Sequence, residues 1–356
     1  MKLLKSSRKN SNFTEGPLFP PFLKFGIAIL ISNLAQSLYT TTDSIIIGKF
    51  SGDPNALASM SSTGTIHVML ITTILNLTVG TTIVLARAHG EKNSRAVSEY
   101  LHTSLTFACS IGLIFGILGQ FLTMPILRLV NTKPELIENA NTYISILLLG
   151  LPFAALAAFA DVSLRAREKG AQATSITLIS GILNVVLNVI FVATLGMSVS
   201  GVAIATVISQ AFSAVVALFL LSRDGKDISF SFKKIGIDLK KLSEVLKIGI
   251  PNAMNTLLIS AASLVTSFTL NSLDLDVIRA GAIVGSSMNL LAMMVSAFTI
   301  SAVSVSVAQN YGAKKIDRID LTIRYSALSL TSILLIILPI YFLFPKPYLL
   351  SLQTRP

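Results

Sequence analysis

The sequence predicts an all-α membrane protein built from two parallel six-helix repeats, the second incomplete, with about nine transmembrane helices present. Composition is one reason, because 52% of the 356 residues are hydrophobic and only 13% are charged. The mean hydropathy is +0.74, as expected for a chain with many membrane spans. The other reason is an internal repeat. The pattern A-x-x-x-G-x-K at residues 86–92 closes a long apolar run and recurs 222 positions later, at residues 308–314.

Two further matches support the duplication. Residues 24–28 resemble 247–251 at an offset of 223, and residues 130–134 resemble 352–356 at an offset of 222. Six spans separate the two A-x-x-x-G-x-K patterns, so both copies are expected to insert with the same orientation about an axis along the membrane normal. We expect the second copy to stop about two-thirds of the way through, because residues 352–356 correspond to 130–134.

Charge-free stretches define the spans. A helix needs about 20 apolar residues to cross the hydrocarbon core, so seven stretches are one span each, and the longest is a helical hairpin broken at residues 195–201. None alternates with the period of two that a transmembrane β-barrel requires. The stretches are 25–42, 54–86, 100–127, 139–160, 170–222, 248–273, 280–313 and 325–345.

Lysine and arginine placement sets the expected orientation. With a cytosolic N-terminus, 22 of the 28 Lys and Arg residues fall on the cytosolic side, as the positive-inside rule requires. We therefore expect a multi-pass protein of the cell membrane, and the net charge of +11 reflects topology rather than nucleic-acid binding. The expected divisions are a flexible cytosolic tail over 1–18, a first lobe of six spans over 19–221, a basic linker over 222–247 and a partial second lobe over 248–356.

Asp43 is the most informative polar residue. It lies six residues before Lys49, about 9 Å inside the outer end of span 1, where a carboxylate is costly and usually functional. Asn184 and Asn188 share one face of span 5, and Thr206 lies at a similar depth in span 6. These residues supply oxygen ligands for a hard cation. Simpler roles stay open for each: a helix-end carboxylate in water, a packing contact between asparagines, and a threonine bonded to a backbone carbonyl.

Other chemistry is poorly supported. His67, His89 and His102 lack metal-ligand spacing, and the single Cys109 lies inside span 3, so neither a metal centre nor a disulfide framework is predicted. No nucleophile–base set or phosphate loop is present, so we do not expect an enzyme. Asp161 and Arg165, four residues apart at the inner end of span 4, are expected to form a surface ion pair.

Four segments give the chain a family resemblance. They are T-T-D-S-I-I-I-G-K at 41–49, N-V-V-L-N-V-I-F at 184–191, G-V-A-I-A-T-V-I-S-Q at 201–210 and Q-N-Y-G-A-K-K at 309–315. With these segments the chain resembles the multidrug and toxic compound extrusion (MATE) transporters. The resemblance implies twelve helices in two six-helix lobes, rocker-switch antiport of organic compounds against Na⁺ or H⁺, and no cofactor besides the coupling ion.

The resemblance also implies a cation site in the first lobe, formed by Asp43, Asn184, Asn188 and Thr206. The chain departs from the family pattern twice: Asn188 stands where the family has an aspartate, and span 7 lacks the glutamate that one branch of the family uses. The site would therefore hold one carboxylate, and the coupling site, if present, is in the first lobe.

Polar residues on the surfaces between the lobes are candidates for the lining of a substrate cavity. The expected partners are a small, amphipathic organic compound and the lipid bilayer, without an obligate protein partner or nucleic acid. Two alternatives stay open: a lipid-linked saccharide flippase of the same superfamily, which would need cationic groups that these spans almost lack, and a transport-inactive truncated membrane protein. The candidate lining residues are Asn33, Gln36, Tyr39, Asn76, Asn255 and Asn289.

Overall fold

The computed structural model describes residues 13–129, 132–223, 230–271 and 295–343, and the regular elements in these ranges are all helices. Seven helices cover the predicted first lobe, and the last three described helices belong to the predicted second lobe. In chain order they are α1 (Phe19–Phe50), α2 (Ala56–Gly90), α3 (Ser94–Leu129), α4 (Pro134–Leu149), α5 (Leu151–Ala166), α6 (Gly170–Asn188), α7 (Ser198–Ser222), α8 (Leu239–Asn271), α9 (Ala302–Gly312) and α10 (Ile316–Leu343). Short π-helical turns at Val189–Thr194 and Ala297–Ser301 extend α6 and precede α9, and a 3₁₀ turn forms at Phe232–Lys234.

The first six predicted spans agree with the structure. Among the described residues five helical stretches are long and apolar enough to cross a membrane, and the bent pair α4–α5 makes a sixth. The two helices of that pair meet at an angle of 48°. Gly150 separates them, and Pro152 lies in the first turn of α5. Helices α8 and α10 cover most of predicted spans 7 and 9, and α9 lies in the second half of span 8. Residues 272–294, which include the first half of span 8, lie outside the described ranges.

Two faces of the bundle follow from the order of the helices. The face that holds the α2–α3, α5–α6, α7–α8 and α9–α10 connections is called the basic face, because most Lys and Arg residues lie there. The other is called the opposite face.

The larger apolar cluster joins the predicted lobes, since it combines Phe22 and Leu85 with Val245, Phe298 and Val305. A smaller cluster fills part of the first lobe and includes Ile47, Tyr143 and Val192.

Glycines bring the two lobes together at the basic face. A Cβ atom on Gly90 would fall on the carbonyl of Gln309, and one on Gly312 would fall on the carbonyl of Arg87, in both cases inside the 3.0 Å that real Cβ atoms keep. The two contacts are related by the repeat, because Gly312 and Gln309 lie 222 positions after Gly90 and Arg87. Backbones can approach this closely only where the side chain is absent. The duplication is therefore visible as a two-fold-related pair of helix crossings.

Residues 13–18, which we call the N-terminal segment, are packed although a flexible tail was expected over 1–18. Phe13 is 1% exposed and meets the Phe25 ring edge to face at 5.5 Å. Its N–H donates to Glu168 Oε1 at 3.2 Å, and its carbonyl accepts from Arg318 at 2.9 and 3.0 Å. Lys315 Nζ donates to the carbonyl of Thr14 at 2.7 Å. The segment thus connects the two lobes, a tertiary arrangement that composition does not encode. Residues 1–12 lie outside the described ranges.

Candidate functional site

The four residues predicted to bind a cation converge in the first lobe. Asp43 of α1 is 8% exposed, and Asn184 and Asn188 of α6 are 2% and 0% exposed. Asn188 Nδ2 donates to Asp43 Oδ1 at 2.5 Å and to Asn184 Oδ1 at 3.1 Å. Asn184 Nδ2 in turn donates to Thr206 Oγ1 of α7 at 3.4 Å. The predicted set is therefore one hydrogen-bonded chain across three helices.

Local helix geometry positions this chain. Asn184 and Asn188 are one turn apart, so both project towards α1 and α7. Helix α6 continues beyond Asn188 as the π-helical turn Val189–Thr194, and such widened turns are frequent at functional sites. The carboxylate accepts hydrogen bonds only, which orients the Asn188 amide with its nitrogen towards Asp43. As a result the buried Asn188 Oδ1 has no hydrogen-bond partner among the described residues.

The side chains in this arrangement are of the kinds that bind small cations. An ionised carboxylate, the amide oxygens and a hydroxyl are hard oxygen donors, and the unpartnered Oδ1 is an acceptor that a cation or a proton donor would satisfy. Sequence analysis missed two neighbours, because it placed Tyr39 in the cavity only and did not single out Tyr143. Both tyrosines lie within electrostatic range of the Asp43 carboxylate. Tyr143 lies in an ordinary apolar stretch, so no local pattern marks it.

A central cavity of about 370 Å³ lies beside this site. Its lining comes from α1, α2, α5, α6 and α7 and from residues 301–305. Three of the predicted cavity residues, Asn33, Gln36 and Tyr39, line it. Tyr39 precedes Asp43 by one helical turn on α1, so a single helix carries both cavity and cation-site residues.

The other predicted cavity residues lie elsewhere. Asn76 is not among the described lining residues, and its amide donates to the Thr72 carbonyl on its own helix at 2.8 Å. Asn255 is exposed on α8 and likewise does not line the described cavity. Asn289 lies outside the described residues.

Asp161 and Arg165 form the expected ion pair, but its expected place on the protein surface is wrong. Both residues line the cavity, and Arg165 is 8% exposed. Arg165 Nε donates to Asp161 Oδ2 at 2.7 Å, and its Nη2 donates to Ser32 Oγ of α1 at 3.1 Å. The hydrogen bond to Ser32 helps to hold Arg165 inside the protein, while Asp161 stays partly exposed towards the cavity. Among the described lining residues Arg165 is the one arginine, and its charge is balanced by Asp161.

Comparison with known proteins identifies relatives. The MatE family model matches residues 28–190 and 251–356. The chain is 26% identical over 309 residues to the probable multidrug resistance protein YoeA of Bacillus subtilis, an alignment covering 84% of this chain and 66% of that protein. It is 25% identical over 266 residues to the multidrug export protein MepA of Staphylococcus saprophyticus, covering 72% and 57%. The chain thus spans less than two thirds of the length of these curated relatives.

Solved structures share the fold. A MOP superfamily transporter from Pyrococcus furiosus, described as having a binding pocket of reversed polarity, superimposes with a TM-score of 0.87 at 20% identity, covering 98% of this chain and 76% of that one. An outward-facing multidrug resistance MATE family transporter superimposes with a TM-score of 0.83 at 20% identity, covering 96% and 75%. The predicted all-α, two-repeat membrane fold is confirmed. Since the family model covers most of the sequence, the chain belongs to the MatE family.

Proposed function

We propose that this protein exports small, amphipathic organic compounds across the cell membrane in exchange for Na⁺ or H⁺. The names of the relatives, a multidrug resistance protein and a multidrug export protein, support export as the activity. Membership of this family also agrees with the expectation that the protein is not an enzyme. The mildly polar cavity suits amphipathic compounds, because it combines apolar side chains with a few amide and hydroxyl groups.

The observation that carries the proposal is the sharing of α1 between the cavity and the cation site. Tyr39 lines the cavity, and Asp43, one turn further on, accepts the hydrogen bond from Asn188 of α6. A buried carboxylate is costly in a low dielectric unless it is neutralised. Cation binding or protonation at Asp43 would change its bond to Asn188 and so the packing of α1 against α6. Because α1 also lines the cavity, this change would alter the affinity of the cavity for the exported compound.

The close helix contacts support an outward-facing state. The glycine crossings at Gly90 and Gly312 close the basic face, and the positive-inside rule assigns that face to the cytosol. Alternating access would then require these crossings to separate while the opposite face closes. The flippase alternative gains little support, since Arg165, a cation in the cavity, is already paired with Asp161.

Gradient-driven efflux of a fluorescent dye from vesicles tests the proposal. Asp43→Asn should abolish efflux driven by either a Na⁺ or a H⁺ gradient, because it removes the carboxylate of the site. The matched control is Asp320→Asn, which alters an exposed aspartate paired with Arg324 on α10 and should leave efflux unchanged. Equal insertion of both variants is checked by yield in the membrane fraction. Undiminished efflux in the Asp43→Asn variant would refute the assignment.

A further inference from the structure

An exposed apolar surface lies on the connection between α7 and α8 and on the first residues of α8. The nine residues 232–240 are all exposed, and they include four large apolar side chains. Phe232 is 74% exposed, Ile235 55%, Ile237 40% and Leu239 77%. Contiguous exposed apolar groups mark a surface that binds something. We call residues 232–240 the linker segment.

Contacts with α3 fix the depth of the linker segment in the bilayer. Just before it, the Ser231 N–H donates to His102 Nε2 at 3.0 Å. Within it, the Asp238 N–H donates to Thr103 Oγ1 at 3.2 Å. On α3 the last charged residue before the apolar stretch is Glu99, so His102 and Thr103 lie where the charged end of the helix gives way to the hydrocarbon-spanning part. The linker segment therefore runs at the level of the lipid headgroups.

The attachment is a specific one. His102 Nδ1 lies 2.7 Å from the Ser98 carbonyl, so Nδ1 carries the proton and Nε2 accepts from Ser231. The Phe230 ring stacks on the same imidazole with centroids 5.4 Å apart. These contacts hold the linker segment against α3. Phe232 meets the Phe230 ring edge to face at 5.1 Å and still remains 74% exposed.

The charged residues of the linker segment indicate what kind of surface it binds. Lys233, Lys234 and Lys240 are exposed between the apolar side chains. Asp238 is the one acidic residue of the linker segment, and its Oδ1 accepts from the N–H groups of Lys240 and Lys241 at 2.8 and 3.1 Å. Apolar side chains alternating with lysines at the bilayer interface are typical of elements that bind anionic lipid.

We propose that the linker segment binds the anionic lipid headgroups of the leaflet at the basic face. Its apolar side chains enter the boundary between headgroups and acyl chains, and its lysines contact lipid phosphates. The segment then anchors the start of α8, and with it the second lobe, to the membrane surface.

Tryptophan fluorescence tests this directly, because the chain contains no tryptophan. Phe232→Trp places a single reporter in the linker segment of the full chain. The matched control is Ile316→Trp, at a 62% exposed isoleucine that follows Lys314 and Lys315. That position precedes the charge-free stretch beginning at residue 325 by nine residues, about 13 Å along α10, and so it should face water. Both variants are placed in nanodiscs of phosphatidylcholine alone or with about one-third phosphatidylglycerol.

The expected result has three parts. The reporter at position 232 should emit at shorter wavelength than the control and be quenched by lipids with brominated acyl chains. Quenching should be stronger with phosphatidylglycerol and weaken as salt is raised. Lys233→Gln and Lys234→Gln should each lower the equilibrium constant for binding of the linker segment to the membrane surface, obtained from this quenching, about fivefold.

Three results would overturn the proposal. The first is emission at position 232 that matches the control. The second is a blue shift without quenching by brominated lipid, which would indicate a protein partner or a second copy of the chain. The third is equal quenching in both lipid compositions, which would show that anionic headgroups are not selected.

Discussion

The helix crossing at Gly90 should open when a single methyl group is added. In Gly90→Ala the new Cβ atom would fall inside 3.0 Å of the Gln309 carbonyl, whereas ordinary contacts begin at 3.4 Å. Helices α2 and α9 would have to separate by roughly 1 Å, and overpacking of this kind typically costs about 1–3 kcal/mol. The cost falls on the state with a closed basic face. The population with an open basic face should therefore rise about 5- to 150-fold.

A larger population with an open basic face would show that the helix crossing is weakened, and not helix α2 itself. Alanine is a better helix former than glycine by about 1 kcal/mol, so α2 itself should not be weakened. Gly312→Ala should behave in the same way, because its Cβ would meet the Arg87 carbonyl in the repeat-related contact. Gly236→Ala is the matched control, since nothing lies within 4 Å of its Cβ position.

Cysteine labelling measures the opening. In a Cys109→Ala background, Ser304→Cys places a thiol in the cavity lining. A membrane-impermeant maleimide supplied from the basic face should react faster in the Gly90→Ala and Gly312→Ala variants than in the control. Equal rates in all three variants would refute the idea that these glycines hold the face closed. An effect at Gly90 alone would refute the equivalence of the two crossings.

Two further predictions concern carboxylates. Asn188→Asp adds a second negative ligand beside Asp43, so the half-saturating cation concentration for efflux should fall; an unchanged value would exclude position 188 from the site. Burial raises the pKa of Glu168 to about 7, with a further increase from Glu15 and an opposing effect of the Phe13 N–H bond. Because this pKa lies above the ordinary 4.5, protonated Glu168 stabilises the docked N-terminal segment. This stabilisation is complete below the ordinary value and is lost as the pH rises through about 7. Limited proteolysis of the segment should be slower at pH 6 than at pH 8, and Glu168→Gln should remove the difference; a difference that persists in the variant would contradict the assignment. Glu168 lines a second cavity, separate from the central one. The other titratable or charged residues that line this second cavity are His89 and Lys92.

The sequence was sufficient for the helices of the first lobe because long charge-free runs have few alternatives to a membrane-spanning helix. The bend in span 4 was missed although Gly150 and Pro152 are visible in the sequence. A count of apolar residues measures length and contains no information about direction. The packing of the N-terminal segment was missed for a related reason, since Lys315 and Arg318, its partners at the start of α10, lie more than 300 residues away.

The site could be predicted where local spacing and depth sufficed. The i, i+4 relation placed Asn184 and Asn188 on one face, and equal distances from the outer turns placed Asp43 and Thr206 at their level; the cation-binding role of all four stays a prediction. Arg165 was misjudged because an i, i+4 ion pair near a loop has the same pattern on a surface and in a cavity. Its burial depends on Ser32, 133 residues earlier in the chain, a contact that only the tertiary fold provides.

The N-terminal segment has a consequence for the order of assembly. The Phe13 carbonyl is held by Arg318, 305 residues further along the chain. Ribosomes add about 5–20 residues per second, so Phe13 waits roughly 15–60 s for its partner to be synthesised. Throughout that interval the first lobe can insert and pack, and Phe13 can contact Phe25 and Glu168 within it, while its carbonyl lacks the hydrogen bonds from Arg318. The Arg318–Phe13 hydrogen bond can form only when the N-terminal segment and the start of α10 lie on the same side of the membrane. Its formation therefore marks completed insertion of both lobes.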